Sequence, residues 1–222
     1  MGGSRWSRFG WYAMAVLALL VAGYAFAMAF VPGWRHPLVR DMFAQRPLAS
    51  WGHFAGGGTA LVAGALQLHT RLRNRWLELH RWLGRLYVLA VAAGGMAALV
   101  LAPHASTGRV AAAGFALLGA CWLASTALAV LAIRRRRLAA HRDWMVRSYA
   151  LTLAAVTLRF YLPVSQFAGI PFTVAYPAIA WLCWVPNLLL AQAFLRSRRA
   201  RELLAASAEP AYWRQERPRP PA

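Results

Sequence analysis

Six long apolar segments alternate with short polar connections along the chain. They cover about 11–31, 49–69, 82–102, 110–133, 148–168 and 174–195. Each is close to the roughly 20 residues that a helix needs to cross about 30 Å of hydrocarbon, where every backbone polar group must be satisfied internally. The pattern predicts an all-α integral membrane protein. Residues 1–201 would form a six-helix transmembrane bundle, and 202–222 a polar, Pro-rich cytoplasmic tail.

Composition agrees with a chain that folds in lipid. Hydrophobic residues make up 60% of the 222 residues and charged residues 14%, against about 25% charged residues in soluble domains. The formal net charge of +19 would indicate nucleic-acid binding in a soluble protein. Here the basic residues are all arginine and cluster at the ends of the apolar segments, so we assign them to topology and lipid headgroups and exclude nucleic acid as a partner.

The arginines also predict an orientation. With the N-terminus inside, the cytoplasmic connections hold twenty arginines and the outer connections hold four. Cytoplasmic loops carry the excess of basic residues, so both termini are predicted to be cytoplasmic and the number of spans even. The first segment could instead be a signal peptide that is cleaved after Ala25-Phe26-Ala27, but its apolar run continues to Val31, which favours an uncleaved helix.

Two segments carry a face of small and polar residues at helical spacing. The faces are His53, Gly57, Ala60, Gly64 and Gln67 in the second segment, and His80, Gly84, Tyr87, Val91 and Gly94 in the third. Spacings of three and four place such residues on one side of a helix. Small residues allow the close approach of another helix or of a flat cofactor ring, and the spacing does not decide between them. His80 also fits a histidine at headgroup level among arginines.

The fifth segment carries a polar stripe. Its members are His141, Met145, Ser148, Thr152, Ala155 and Arg159. His141 and Arg159 are five helical turns apart, about 27 Å along the axis, so both point the same way. A charged residue inside a span is costly, so Arg159 should face the bundle interior and meet an anion or backbone carbonyls. A purely structural role for the stripe is the alternative.

In the predicted topology these side chains form two groups. His80 and His141 lie towards the inner face, whereas His53 and Arg159 lie in the outer half. The nearby acids, of which Asp143 is one, are expected to pair with arginines. The sequence has no catalytic triad pattern, P-loop, dinucleotide fingerprint or metalloprotease spacing, and it leaves open whether the protein is an enzyme.

Two longer motifs stand out in the third and fifth segments. They read His80-Arg81-Trp82-Leu83-Gly84-Arg85-Leu86-Tyr87 and His141-Arg142-Asp143-Trp144-Met145-Val146-Arg147-Ser148-Tyr149-Ala150-Leu151-Thr152, continuing to Leu158-Arg159. They resemble a bacterial multi-pass membrane family catalogued as domain of unknown function 2306 (DUF2306), over about residues 50–190. The resemblance implies a multi-pass protein of the bacterial cytoplasmic (inner) membrane. It adds weight to His53, His80, His141 and Arg159 as positions that define the family pattern.

A looser resemblance is to membrane b-type cytochromes, which hold haem between histidines on facing helices. In that group one helix often carries two histidines about four turns apart, whereas Gln67 stands at that distance from His53. The resemblance therefore implies at most one haem b. Its iron ligands would be two of His53, His80 and His141, with His80 and His141 favoured, and Arg159 would contact a propionate or another anion.

Three functions are compatible with these residues. The first is a haem b electron-transfer protein whose partner is a quinone or another membrane redox subunit. The second is a small transporter or channel whose path follows the stripe from His141 to Arg159. Against it, the sequence shows no inverted repeat, and Pro177 and Pro186 interrupt only the last segment. The third is a non-catalytic accessory or assembly subunit whose polar residues lock the bundle.

Overall fold

The computed structural model describes residues 5–207, with side chains at 9–69, 72 and 74–204, and this part of the chain is helical without any strand. The helices are α1 (Arg5–Phe30), α2 (Pro37–Gln45), α3 (Pro47–Gln67), α4 (Thr70–Arg75), α5 (Leu77–Leu101), α6 (Arg109–Arg134), α7 (Leu138–Thr152), α8 (Ala154–Phe167), α9 (Phe172–Leu182) and α10 (Val185–Ser207). We name each end of the bundle after the short helix that lies there: the α2 end contains Pro37–Gln45, and the α4 end contains Thr70–Arg75. Of the predicted tail, residues 208–222 lie outside the described residues.

Helices α3 and α5 pack closely along their small faces. A Cβ added at Gly56 of α3 would lie 2.8 Å from both the Ala90 carbonyl oxygen and the Gly94 nitrogen of α5. Such close backbone approach is the usual role of small residues between membrane helices. Towards the α4 end, Gln67 Nε2 donates to the His80 carbonyl over 2.5 Å. Gly94 and Gln67 of the two predicted faces therefore serve helix packing, together with Gly56 beside the predicted face of α3.

Helix α1 covers α3, and α2 lies across the end of both. Ala18 and Ala22 of α1 are buried, and Trp11 Nε1 donates to the Ala65 carbonyl of α3 over 3.2 Å. After α1 ends, the Arg35 guanidinium donates to the carbonyls of Met28 and Ala29 over 2.8 and 2.9 Å. Because the last carbonyls of a helix lack partners within it, this arginine satisfies the C-terminus of α1.

The fifth predicted segment is interrupted between α7 and α8, at Leu153. No proline or glycine lies there. Instead the hydroxyls of Thr152 and Thr157 donate to the carbonyls of Ser148 and Leu153, four residues earlier in each case. Back-bonding of this kind bends helices, which gives a local reason for the interruption.

The last predicted segment is interrupted between Leu182 of α9 and Val185 of α10. Pro186 has no N–H to donate to the Leu182 carbonyl, so a continuous helix loses a hydrogen bond here. Pro177 lies within α9 without ending it. The prediction that only the last segment is interrupted is therefore wrong, because the fifth segment has an interruption of its own.

Asn187 ties the two interruptions together. Its Nδ2 lies 3.3 Å from the Ala150 carbonyl, 3.1 Å from the Cys183 carbonyl and 2.9 Å from Thr157 Oγ1. In an unbroken helix the Ala150 carbonyl would accept from the residue four positions later. The Asn187 amide replaces the backbone donor that is lost at the interruption of the fifth segment. Because the same amide contacts the Cys183 carbonyl, the two interruptions lie side by side.

Four helices among the described residues are long and apolar enough to cross a membrane: Phe9–Phe30, Leu77–His104, Arg109–Arg134 and Phe172–Leu204. The predicted segments 49–69 and 148–168 are not among them. Helix α3 spans 21 residues, but its glycines and His53 lower its hydropathy. The segment 148–168 is divided at Leu153, which leaves two short helices. The structure thus gives an all-helical bundle with four candidate spans.

At the α4 end, a buried carboxylate holds α10 against α7. Asp143 Oδ1 lies 2.7 Å from Arg198 Nη2, and Asp143 Oδ2 lies 2.5 Å from Arg199 Nη2. Arg198 also approaches Glu202, one turn further along α10. The expectation that Asp143 pairs with arginines agrees with this geometry.

Candidate ligand cavity

A cavity of about 780 Å³ opens at the α2 end of the bundle. Its walls come from α1, α2, α3, α5, α6, α7, α8 and α9 and are mainly aliphatic and aromatic. The mouth is polar and is lined by His36, Asp41, Gln45, Arg46, His104 and Ser106. Small-molecule sites typically enclose about 300–1,000 Å³ behind apolar walls with a few polar groups, so this cavity has the size and character of a binding site.

Arg159 of α8 lines the cavity. Its Nη1 donates to the Ala155 carbonyl over 2.9 Å, and its guanidinium carbon lies 4.6 Å from the centre of the Tyr24 ring. Nε is buried and has no hydrogen-bond partner among the described residues, and no described carboxylate forms an ion pair with this arginine. Within the described part of the chain, the positive charge is therefore balanced by one carbonyl and by aromatic side chains, which compensate a buried cation weakly.

His53 of α3 lines the same cavity as Arg159, and the two side chains interact electrostatically. The His53 Nδ1 is buried and has no hydrogen-bond partner among the described residues. The His53 ring interacts with the backbone of Gly94. The face of α3 that begins with His53 also presents Gly57 to the cavity. A Cβ at Gly57 would meet nothing within 4 Å, so the glycine leaves open space beside the histidine.

The inner wall of the cavity is polar. Thr152 of α7 and Trp122 of α6 both line it, and Trp122 Nε1 donates to Thr152 Oγ1 over 2.9 Å. The Tyr87 hydroxyl of α5 lies 2.8 Å from the same Thr152 oxygen. The cavity therefore ends on a buried group of hydrogen-bonded hydroxyls and not on a purely apolar floor.

The structure brings only part of the predicted site together. His53 and Arg159 share the cavity, whereas the other two candidates, His80 and His141, are not among its lining residues. His141 Nδ1 lies 2.9 Å from the Ala129 carbonyl of α6, and the His80 carbonyl accepts from Gln67. Among the described residues no group of three or more His, Cys, Asp or Glu could hold a metal ion. Haem ligation by two of the three histidines stays a prediction.

Two tyrosines near Arg159 were not predicted. Tyr24 of α1 and Tyr176 of α9 line the cavity and interact electrostatically with the guanidinium. Each is an isolated amphipathic residue in an apolar segment, and no spacing rule connects it with the fifth segment. A phenol within a membrane span, where a polar tip needs a partner, is the only sequence signal that could have indicated them.

These features define a class: a membrane protein whose described residues form a helical bundle around a deep cavity, with an arginine in that cavity that forms no ion pair within this part of the chain. The family described as "Predicted membrane protein (DUF2306)" matches residues 50–195. The chain belongs to this family. The match includes His53, His80, His141 and Arg159 and ends before Arg198. No curated protein and no solved structure matches the chain.

Proposed function

We propose that the chain crosses the bacterial cytoplasmic membrane six times, with both termini in the cytoplasm. The arginine asymmetry supports this topology, because the α2 end has only Arg35, Arg40, Arg46 and Arg109 in its connections. Under this topology α3 and the α7–α8 pair span the membrane despite their lower hydropathy, since other helices cover their polar residues. The cavity then opens towards the outer side.

The ligand of the cavity is an amphipathic organic anion. The single observation that carries this proposal is the Arg159 guanidinium, which has no carboxylate partner among the described residues and lies in a cavity with apolar walls. A charged residue at membrane depth is costly unless it is paired, and a bound anion would supply the missing pair. Planar carboxylate and phosphate groups match the fork of arginine donors.

The rest of the cavity fits the apolar body of such a ligand. Leu61, Leu118 and Leu158 contribute aliphatic wall, and Phe115 and Phe172 contribute aromatic wall. The proposed ligand therefore has one anionic group at Arg159 and a hydrocarbon or ring body in the remaining space. Haem b belongs to the same chemical class, since it combines an apolar macrocycle with anionic propionates. Of the three histidines predicted as iron ligands, His53 is the one that lines the cavity and could contact the iron.

The anion proposal is tested with the fluorescent fatty acid cis-parinaric acid and its uncharged methyl ester, titrated into purified protein. The wild type is expected to bind the acid more tightly than the ester. Arg159→Gln is expected to weaken acid binding by about tenfold or more, equivalent to about 1.4 kcal/mol, and to leave ester binding unchanged. Arg109→Gln, which removes an exposed arginine at the same end, is the matched control. Equal affinity of Arg159→Gln and the wild type for the acid would contradict the proposal.

An absorption spectrum distinguishes the two candidate ligands of the cavity, haem b and a lipid-like acid. Protein purified from haem-sufficient cells will show a Soret band if haem b occupies the cavity, and His53→Ala should then abolish it. A protein without a Soret band that binds cis-parinaric acid through Arg159 binds a lipid-like acid instead. A Soret band that persists in His53→Ala and disappears in His80→Ala or His141→Ala would place the haem at the other histidines.

A second candidate function is transport of the same anion, and the paired interruptions favour it. Discontinuous helices beside a mid-membrane site are typical of transporters, where they allow one part of the bundle to move against another. Leu151, Thr152, Ala154 and Cys183 flank the two breaks and line the cavity. Asn187 would then be the pivot, because it contacts both interruptions.

Cysteine labelling separates transport from binding alone. Gly57→Cys, made in a protein with both native cysteines replaced by alanine, places a thiol in open space inside the cavity. A membrane-impermeant maleimide is expected to react with it from the outer side of sealed vesicles. Reaction from the cytoplasmic side as well would indicate alternating access. Reaction from the cytoplasmic side only would contradict the proposed topology.

A further inference from the structure

Four buried hydroxyls from three helices form one continuous hydrogen-bonded chain below the cavity. Thr126 Oγ1 of α6 lies 2.7 Å from Ser148 Oγ, Ser148 Oγ lies 2.7 Å from the Tyr87 hydroxyl, and this hydroxyl lies 2.8 Å from Thr152 Oγ1. All four side chains are buried. We name this set the hydroxyl chain.

The ends of the hydroxyl chain determine which proton arrangements are allowed. Trp122 Nε1 can only donate, and it donates to Thr152 Oγ1. At the other end Thr126 Oγ1 lies 2.9 Å from the Trp122 carbonyl. Thr152 Oγ1 also lies 3.1 Å from the Ser148 carbonyl. Each terminal threonine therefore has a backbone acceptor that is available when its proton does not point along the chain.

Two opposite proton orders satisfy every hydroxyl. In the first, Thr152 donates to Tyr87, Tyr87 to Ser148, Ser148 to Thr126, and Thr126 to the Trp122 carbonyl. In the second each of these steps is reversed, and Thr152 donates to the Ser148 carbonyl. An unpaired buried donor would cost about 1–3 kcal/mol, and neither order contains one. A chain that is satisfied in both orders can reverse without a large penalty.

We infer that the hydroxyl chain relays protons between the cavity and the cytoplasmic half of the bundle. A proton that arrives at Thr152 from water or from an acid group in the cavity displaces the proton that Thr152 holds, and each oxygen along the chain then accepts one proton and releases one. The proton released at Thr126 passes to water on the inner side, so no charge or atom is left over. Rotation of the four hydroxyls restores the starting order.

The continuation towards the cytoplasm follows the interface of α6 and α7. Ala129 lies one turn beyond Thr126 on α6, and its carbonyl contacts His141 of α7. Between Ser148 and His141 on α7 stands Met145, which is partly buried against the core. Its apolar side chain is the only member of the predicted stripe that interrupts the polar series on this side of the cavity. Met145 would therefore limit the rate of proton passage.

Proton flux into liposomes tests the relay. The full-length protein is reconstituted in vesicles that contain a pH-sensitive dye, and a potassium diffusion potential drives protons inward. The wild type is expected to exceed empty vesicles, and Ser148→Ala and Thr126→Val are each expected to reduce that excess by about tenfold, a 1.4 kcal/mol change. Ser50→Ala, which removes a fully buried hydroxyl outside the hydroxyl chain, is the control and should conduct like the wild type.

A gain-of-function variant keeps the test decisive if a loss-of-function variant folds poorly. Met145→Ser places a hydroxyl in the apolar gap and should raise proton flux several-fold. Wild-type flux equal to that of empty vesicles, or equal flux in Ser148→Ala, Met145→Ser and the wild type, would overturn the relay. The inference depends on the cavity for access but not on its ligand, so cis-parinaric acid binding can fail while proton flux persists, and the reverse.

Discussion

Gly64→Ala is expected to lower the free energy of unfolding by about 2–4 kcal/mol. Gly64 lies on α3 where the ring of Tyr149 from α7 crosses it, and a Cβ there would overlap that ring and lie 2.9 Å from Tyr87 Cε2. Neither ring can retreat easily. Tyr149 donates to the Leu61 carbonyl over 3.2 Å, and the Tyr87 hydroxyl is fixed between Ser148 and Thr152. One added methyl group thus disturbs three helices.

The matched control for this change is Gly57→Ala, two turns earlier on the same helix. A Cβ at Gly57 meets nothing within 4 Å, and replacing a helical glycine by alanine gains up to about 1 kcal/mol of helix propensity. Thermal unfolding of the two variants in the same detergent is the measurement. If Gly64→Ala unfolded at the same temperature as Gly57→Ala, the close packing of Tyr149 on α3 would be incorrect.

The glycines of the second segment show which structural features residue spacing can predict and which it cannot. Their period of three and four correctly places them on one face of a helix, and that face is indeed approached closely. The spacing cannot identify the elements that approach this face, because those elements are distant in sequence. Gly64 meets the Tyr149 ring and Gly57 opens into the cavity, whereas Gly56, which lies outside the predicted face, meets the backbone of α5. One predicted face therefore meets a packed ring at one glycine and open cavity space at another.

The polar stripe of the fifth segment likewise shows what the sequence predicts and what it misses. Arg159 does face the interior and contacts a carbonyl, as its cost in lipid predicts. The stripe does not lie on one uninterrupted helix, however, since Leu153 divides the segment, and its members Ser148 and Thr152 belong to the hydroxyl chain. The break could not be predicted from proline or glycine. It depends on threonine back-bonding and on Asn187, which arrives from another helix.

Asp143→Asn should also destabilise the protein, by about 2–3 kcal/mol. Removing one partner of a buried ion pair costs about 3–5 kcal/mol when the remaining charge stays buried. Here the estimate is lower, because the side chains of Arg198 and Arg199 are 28% and 62% exposed and water can reach them. The asparagine keeps the volume of a residue that is 2% exposed. It removes the charge and also replaces one of the two acceptor oxygens by a donor, so one of the two arginines loses its hydrogen bond.

Thermal unfolding with Glu202→Gln as control distinguishes the buried ion pairs of Asp143 from an ion pair at the exposed surface. Glu202 approaches Arg198 over 3.4 Å but its side chain is 65% exposed, and exposed pairs contribute about 0–1 kcal/mol. We expect Glu202→Gln to unfold close to the wild type and Asp143→Asn clearly below it. Arg198→Gln should fall between them, because Arg199 still pairs with the carboxylate. If Asp143→Asn and Glu202→Gln unfolded at the same temperature, the Asp143 carboxylate would contribute no more than an exposed charge to holding α10 against α7. The apolar contacts and hydrogen bonds such as that from Asn187 to the Ala150 carbonyl would then hold the two helices together.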